Sequence, residues 1–279
     1  MVVDRPGATA MSSLDVTLLG TGTPNPNPDR AGASYLFRAA DFRFMIDCGP
    51  RALLRLGQAG ANASEIDHMF FTHYHLDHWA DFGPFLVNRW MRGSRTPLRA
   101  YGPAGLQELV NNVLALHRRD LEYRSKIRAG PLDLPEVVAT EIEEGFIFDH
   151  QGLTVAPFNV AHYPIGQPFG FRVEARDCKI VLSGDTCPNE NLIRNALDAD
   201  VLIHECVDYD AWTAIDIARD HMQHAHTPPA ELGRIATDAR ARLCVTTHML
   251  AASQPEELHR QIRQEFSGPL VIGQDLMTL

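Results

Sequence analysis

The ten residues FFTHYHLDHW, positions 70–79, constrain this chain more than any other stretch, because three histidines and one aspartate follow an apolar run within six consecutive positions. A continuous helix would send His73 and His75 to nearly opposite sides, since positions two apart on a helix do not share a face. An extended strand end places both side chains on one side, and a turn after them can bring Asp77 and His78 back. The pattern therefore predicts a metal site at the end of a strand.

Short runs rich in Val, Ile, Leu and Phe predict a strand-rich first half and a second half in which strands alternate with helices. The predicted strands are 15–20, 33–38, 42–47, 66–72, 98–102, 153–160, 169–174, 179–183, 200–205, 243–247 and 269–272. The predicted helices are about 50–59, 79–92, 103–118, 189–198, 211–220, 228–239 and 255–266. This order predicts mixed sheets with helices outside them, an α/β layered fold.

Hydrophobic residues make up 45% of the chain and charged residues 22%, as in an ordinary globular protein. We expect one domain over residues 14–279, preceded at 1–13 by a disordered leader without the basic start and apolar centre of a secretory signal. Every apolar stretch is shorter than the roughly 20 residues that cross a bilayer, which predicts a cytoplasmic protein without membrane contact. The five cysteines, an odd number without a CxxC pair, predict buried thiols and no disulfide framework.

The net charge and the histidine content indicate whether the protein binds nucleic acid or metal ions. The formal net charge of −10 argues against nucleic acid, because a broad basic surface for phosphates is missing, although it leaves a local basic patch open. The 13 histidines are many for 279 residues. Beyond the 73–78 cluster, His162, Asp185 and His248 each come just after a predicted strand, where sites in α/β folds are usually built. Together these positions offer enough imidazoles and carboxylates for two metal ions with one shared carboxylate.

Several motifs resemble one known superfamily. THYHLDH resembles the HxHxDH signature of the metallo-β-lactamase superfamily, and SGDT at 183–186 resembles its motif with a bridging aspartate. LLGTGTPNP (18–26), IDCG (46–49) and YGPAG (101–105) resemble the branch that contains tRNase Z and the arylsulfatase-like metallohydrolases. The resemblance implies an αββα sandwich of two mixed β-sheets flanked by helices. It also implies His73, His75 and His162 on one metal, Asp77, His78 and His248 on the other, and Asp185 between them.

Two further segments bear on catalysis. HEC at 204–206 resembles a tRNase Z motif whose glutamate orients a catalytic histidine, and HTPPAELGRIA at 226–236 resembles the segment that holds this histidine. The resemblance implies that Glu205 orients His226, with Asp77 as a further catalytic residue. His224 is an alternative to His226, which is favoured because a Thr-Pro helix start follows it directly.

Imidazole and carboxylate ligands without thiolate suit two zinc ions, with Fe or Mn as alternatives. Two such ions would share a water, lower its pKa and hold a bridging hydroxide as the nucleophile. The resulting positive charge favours an anionic group. We therefore expect a dinuclear zinc hydrolase of small esters, arylsulfatase-like or phosphodiesterase-like.

Three alternatives stay open: a tRNA 3′-processing endoribonuclease, a lactonase or thioesterase, and a metal-binding protein without catalysis. The tRNase Z resemblance implies a long arm between His162 and Asp185, where only 22 residues lie in this chain. Similar metal sites perform many hydrolyses on one fold, so the branch does not define the substrate. By analogy with related enzymes we expect a homodimer.

Overall fold

The computed structural model describes residues 14–127, 134–209 and 222–279. The predicted leader at 1–13 and the predicted helix at 211–220 lie outside the described residues.

Two β-sheets form the centre of the described chain. The first sheet has six described strands, in the spatial order of the chain: β1 (Leu14–Gly20), β2 (Ser34–Ala39), β3 (Phe42–Ile46), β4 (His68–Phe70), β5 (Leu98–Gly102) and β6 (Val137–Glu141). β1, β2 and β3 pair antiparallel, and β3 to β6 pair parallel. The sheet is therefore mixed, as predicted.

The second sheet is mixed as well. Its seven described strands are β7 (Phe148–His150), β8 (Leu153–Asn159), β9 (Phe169–Ala175), β10 (Cys178–Leu182), β11 (Val201–Glu205), β12 (Cys244–Thr247) and β13 (Leu270–Ile272). β7 to β10 pair antiparallel, and β10 to β13 pair parallel. The carboxyl ends of β10, β11 and β12 consequently meet at one edge.

Helices cover the outer faces of both sheets. They are α1 (Ala52–Gln58), α2 (Leu76–Trp79), α3 (Phe82–Met91), α4 (Leu106–Ile127), α5 (Glu190–Ala196), α6 (Pro229–Asp238) and α7 (Pro255–Ile262), with a 3₁₀ turn at Ala63–Glu65. No helix in the described ranges is both long enough and apolar enough to span a membrane.

Three apolar clusters hold the layers together. One lies between the sheets and joins Phe44 and Phe70 of the first to Phe171 and Ile203 of the second. Another packs the first sheet against α1, α3 and α4. The third packs the second sheet against α5, α6 and α7. Strands covered on both faces must be apolar throughout, which explains the uninterrupted runs seen in the sequence. The αββα sandwich is thus confirmed.

Candidate metal centre

The HxHxDH segment begins where β4 ends. His75 is extended (φ −65°, ψ 146°) and is the N-cap of α2, so the strand end and the following turn are as predicted. His75 Nδ1 lies 3.1 Å from His73 Nε2 and 3.1 Å from His162 Nε2. Asp185 Oδ2 lies 3.8 Å from His73 Nε2 and 3.9 Å from His162 Nε2. Side chains from both sheets thus form one group of nitrogen and oxygen donors.

A second group lies directly beside the first. Asp77 and His78 occupy the first turn of α2, and His248 follows β12 with a left-handed backbone (φ 51°). Asp77 Oδ2 is 3.1 Å from His248 Nε2 and 3.6 Å from His78 Nε2. Asp185 Oδ2 is 3.4 Å from His78 Nε2 and 3.2 Å from His248 Nε2. Asp185 therefore lies between the two groups.

The chemistry of these donors suits divalent cations. Burial lowers the pKa of His73 well below its ordinary value and that of His162 to about 4, so both imidazoles are neutral with a lone pair available. His78 Nε2 is buried and has no hydrogen-bond partner among the described residues. Nitrogens that face one another at 3.1 Å, and an orphaned buried nitrogen beside carboxylates, are costly without a cation. The residues present fit a dinuclear metal site.

The electrostatics of the second group point the same way. Burial opposes protonation of His248, but the carboxylates of Asp185 and Asp77 overcome it and raise its pKa to about 9. Burial lowers the pKa of His78, but Asp185, Asp77 and Asp47 overcome this effect and raise it well above its ordinary value. The carboxylates thus favour positive charge near His78 and His248. A bound metal ion would supply that charge in place of protons on the two imidazoles.

Sequence analysis missed the role of Asp47. This buried aspartate, with a left-handed backbone (φ 60°), accepts a hydrogen bond from His78 Nδ1–H at 2.8 Å. It also accepts from the backbone N–H of Thr72 at 2.9 Å and from the Thr72 hydroxyl at 2.8 Å. These bonds direct His78 Nε2 toward Asp77 and Asp185, the usual task of a carboxylate behind a metal-binding histidine. Its only signal in the sequence was the IDCG motif.

The predicted Glu205–His226 pair is present in the structure. Glu205 is the last residue of β11 and fully buried, and His226 Nδ1–H lies 2.9 and 3.1 Å from its two carboxylate oxygens. The His226 ring lies 4.9 Å from that of His162. His224 is exposed, and its carbonyl accepts a hydrogen bond from Tyr163 N. The geometry favours His226 over His224.

The helix after this histidine starts slightly later than the Thr-Pro pattern suggests. Pro228 is the N-cap of α6, and the Thr227 hydroxyl donates to the carbonyl of Thr186 at 2.6 Å. This bond ties the His226 segment to the SGDT loop that carries Asp185. The hydrogen bond from Thr227 to Thr186 therefore connects the neighbours of His226 and Asp185.

Solved structures of other proteins share this fold. The metallo-β-lactamase fold protein YhfI from Bacillus subtilis superimposes with a TM-score of 0.77 at 22% identity, over 95% of this chain and 98% of the other. The short form of human tRNase Z has a TM-score of 0.71 at 24% identity, over 95% and 98%. These likenesses identify the metallo-β-lactamase fold, the class that the sequence motifs predicted.

Sequence comparison then gives the family. Residues 14–261 match the family model described as Anti-Pycsar protein Apyc1. Ribonuclease Z of Mycobacterium sp. (strain KMS) is 35% identical over 269 residues, 94% of either chain. Ribonuclease Z of Mycobacterium bovis (strain BCG / Pasteur 1173P2) is 34% identical over 270 residues, 94% of this chain and 96% of the other. The chain therefore belongs to the metallo-β-lactamase superfamily, in the family of Apyc1 and the ribonuclease Z-like hydrolases.

This membership confirms the predicted enzyme class, a metal-dependent hydrolase of ester bonds. It revises the choice among substrates, because the relatives are named for ribonuclease Z and support that alternative better than the arylsulfatase-like one. It also counts against the expectation that nucleic acid is an improbable partner. That expectation rested on the net charge of −10, which averages over the whole surface, whereas phosphate binding depends on local charge.

Proposed function

We propose that the protein is a dinuclear zinc phosphodiesterase that cleaves RNA, as a ribonuclease Z-type enzyme. The observation that carries the proposal is the placement of Asp185 between two donor groups, beside the Glu205–His226 pair. The extent of the similarity to proteins named Ribonuclease Z supports RNA as the substrate class.

The ligands are assigned from the distances between donor atoms. His73, His75 and His162 would hold one ion, and Asp77, His78 and His248 would hold the other, with Asp185 within reach of both groups. Imidazole and carboxylate without thiolate suit zinc, with Fe or Mn as alternatives. When bound, two such ions supply positive charge for the phosphate oxygens and lower the pKa of an attacking water.

The carboxylates set the charge of the site. Two divalent ions would carry four positive charges, and Asp77 and Asp185 carry two negative charges. The ions and these two carboxylates together would therefore present positive charge to the substrate. A phosphodiester gains negative charge on its oxygens as the bond to the leaving group breaks. A cationic, largely buried site stabilises that change.

His226 is assigned as the proton donor. Glu205 accepts the Nδ1–H of His226, which fixes the ring and leaves Nε2 for the substrate. His226 can then give a proton to the leaving oxygen, a contribution of about 10²–10⁴-fold in rate.

A small phosphodiester is the second candidate, favoured by the segment between His162 and Asp185. In the structure this segment consists of β9, β10 and two short connections, at 163–168 and 176–177, so it forms no long arm. This arrangement suits a short substrate as well as an RNA end.

Metal-analysed protein separates these candidates when it is assayed with a 3′-extended precursor tRNA, bis(p-nitrophenyl) phosphate and an aryl sulfate. We expect cleavage of both phosphodiesters and much slower turnover of the sulfate. His226→Ala should slow cleavage of the precursor tRNA most, because its alkoxide leaving group needs a proton and p-nitrophenolate does not. Cleavage of the small phosphodiester alone selects the second candidate. Turnover of the aryl sulfate without phosphodiester cleavage would contradict the proposal.

A further inference from the structure

One face of α4 carries large apolar side chains that are exposed to solvent. Leu116 is 79% exposed, Tyr123 66% and Ile127 69%. At about 100° per residue these three positions lie within about 40° of one another around the helix, so they form one stripe. A single exposed apolar residue needs no explanation, but a stripe of them on one helix indicates contact with a partner.

Two cations lie on the same face. Arg119 and Lys126 are exposed, and their side chains form no ion pair or hydrogen bond with the part of the chain that the structure describes. The other two cations in this half of α4 pair with acidic residues one turn away, at 2.7 and 2.8 Å. Tyr123 lies between Arg119 and Lys126, which are about 10 Å apart along the helix axis. Leu116, Arg119, Tyr123, Lys126 and Ile127 together form the α4 stripe, a local positive surface in a chain of net charge −10.

The position of α4 is fixed relative to the candidate metal centre. An added Cβ at Gly83, in the first turn of α3, would come within 2.1 Å of His117 Nε2, so His117 lies directly against α3. Asp81 N donates to the carbonyl of Cys48 at 3.0 Å, and Cys48 N donates to that of His78 at 2.7 Å. These contacts connect α4, through the start of α3, to one of the proposed metal ligands.

The α4 stripe lies on the opposite side of the helix from His117, because its positions are about 100–180° away around the axis. A ligand that occupies both the metal centre and the stripe must therefore cross the width of a helix, about 10 Å. A chain of several nucleotides can do so, whereas a small ester cannot. An acidic peptide would match the two cations, but it offers no flat group for the tyrosine between them.

We infer that the α4 stripe binds the single-stranded 3′ extension of an RNA substrate whose scissile phosphate lies at the metal centre. Arg119 and Lys126 contact phosphates of the extension, and the Tyr123 ring stacks on a base between them. Proteins that bind single strands combine cations along the backbone with aromatic rings under the bases, and they do so without reading the sequence. The inference rests on the proposed ribonuclease function and specifies how the substrate is held outside the metal centre.

Two RNA substrates test the stripe. Both have the same stem and cleavage site, one with a single nucleotide after that site and the other with an extension of about 12 nucleotides. For each protein the measurement is the ratio of kcat/KM for the long extension to that for the short one. We expect wild type to prefer the long extension. The double variant Arg119→Ala/Lys126→Ala should lower the ratio about tenfold, chiefly through KM, and should make KM for the long RNA less dependent on salt.

Further variants separate stacking from charge. Tyr123→Ala should lower the ratio about fivefold, and Tyr123→Phe, which keeps the ring, should leave it unchanged. Arg194→Ala is the matched control, since Arg194 is a cation on α5 whose side chain is 66% exposed. It should leave the ratio unchanged. Turnover of bis(p-nitrophenyl) phosphate should be equal in all these proteins, because this ester is too small to reach the stripe.

The possible results separate the two proposals. Equal losses on both RNAs in the double variant, or a wild type without preference for the long extension, would overturn the inference while RNA cleavage stands. A ratio as high in Tyr123→Ala as in wild type would overturn the stacking role. Wild-type protein that cleaves neither RNA would overturn the proposed function and the inference with it.

Discussion

The role of His226 can be tested separately from metal binding. Its Nδ1–H donates to Glu205, which is not one of the proposed ligands. We predict that His226→Ala lowers kcat on a phosphodiester by about 10²–10⁴-fold, because the proton donor is lost. The bound metal should remain near the wild-type amount. Steady-state kinetics and metal analysis of the same sample measure both quantities.

The structure also defines what would contradict this role. The donor atom of His226 lies within 4.8 Å of those of Asp185 and His248, close enough for a metal ligand. Loss of one ion in His226→Ala would show that His226 is a ligand and would invalidate its assignment as acid. Glu205→Gln should lower kcat less than His226→Ala while the metal stays bound.

Asp47 provides the second test at this scale. We predict that Asp47→Asn weakens metal binding about 10–100-fold, because His78 loses the carboxylate that orients it. Asparagine tolerates the left-handed backbone at this position, so the substitution changes the chemistry without adding strain. Competition with a chelator measures the affinity.

Asp41 supplies a matched control for that experiment, since it is an exposed aspartate in the turn between β2 and β3. Asp41→Asn should bind metal like wild type. Equal affinities of Asp47→Asn and wild type would show that Asp47 does not support the ligand.

The sequence indicated which proposed ligands lie close together, but it did not indicate which residues orient them. The spacing of His73 and His75 is informative because a strand end fixes where both side chains point. Asp47 is 31 positions from His78 in the chain, and no local pattern connects them. The choice between His224 and His226 likewise needed the position of Glu205, which only the folded chain defines.

At the scale of elements, one aspartate holds the loop between β1 and β2, residues 21–33. Asp275 accepts hydrogen bonds from Thr21 N at 3.0 Å and Thr21 Oγ at 2.8 Å, from Ala31 N at 2.7 Å and from Arg55 Nε at 2.9 Å. The carbonyl of Thr21 in turn accepts from Met249 N, next to His248. The loop, the end of β13 and a proposed ligand are thereby connected.

We predict that Asp275→Asn destabilises the fold by about 1–3 kcal/mol, because an amide group would face donors that now meet a carboxylate. Urea denaturation measures the change. Asp238→Asn, at an exposed position at the end of α6, is the control. A free energy of unfolding for Asp275→Asn equal to that of the control would show that the loop does not depend on this contact.

All eleven strands predicted from the sequence are present, but β6 and β7 were missed. β6 is the edge strand of its sheet, and none of its residues is fully buried, so its sequence lacks the apolar run that marks a strand. β7 has only three residues. α4 continues past the predicted end at 118 to Ile127, because the pairs Arg118–Glu122 and Arg124–Asp120 support a polar helix there.

At the scale of the whole molecule, the candidate metal centre is built from residues of both sheets. His73, His75 and Asp77 follow β4 of the first sheet, whereas Asp185 and His248 follow strands of the second. The C-terminal residues make a further connection to β1, since Leu279 and Val16 exchange two backbone hydrogen bonds and Leu18 N donates to the carbonyl of Met277. Bound metal should therefore stabilise the packing of one sheet on the other.

We predict that removing metal with a chelator lowers Tm and abolishes hydrolysis, and that adding zinc restores both. Ligand binding at about 1,000 times Kd stabilises a fold by about 4 kcal/mol, which is a large part of the stability of a typical domain. Thermal unfolding with and without chelator measures the effect. A Tm that does not change when metal is removed would show that the sheets do not depend on the centre.

The fold and the hydrolase class were predictable from sequence because motif order and strand order agree with one superfamily. The substrate class was not, since the net charge of −10 says nothing about the charge beside the candidate metal centre, and the short segment between His162 and Asp185 fits more than one substrate.

The central claim is that seven side chains hold two metal ions in one centre. Mass-spectrometric metal analysis of purified protein, dialysed against metal-free buffer after zinc loading, tests it most directly. We predict two zinc ions per chain, and a clear loss of metal in Asp185→Ala, which removes the carboxylate between the two groups. A wild-type protein that retains one ion or none would contradict the account.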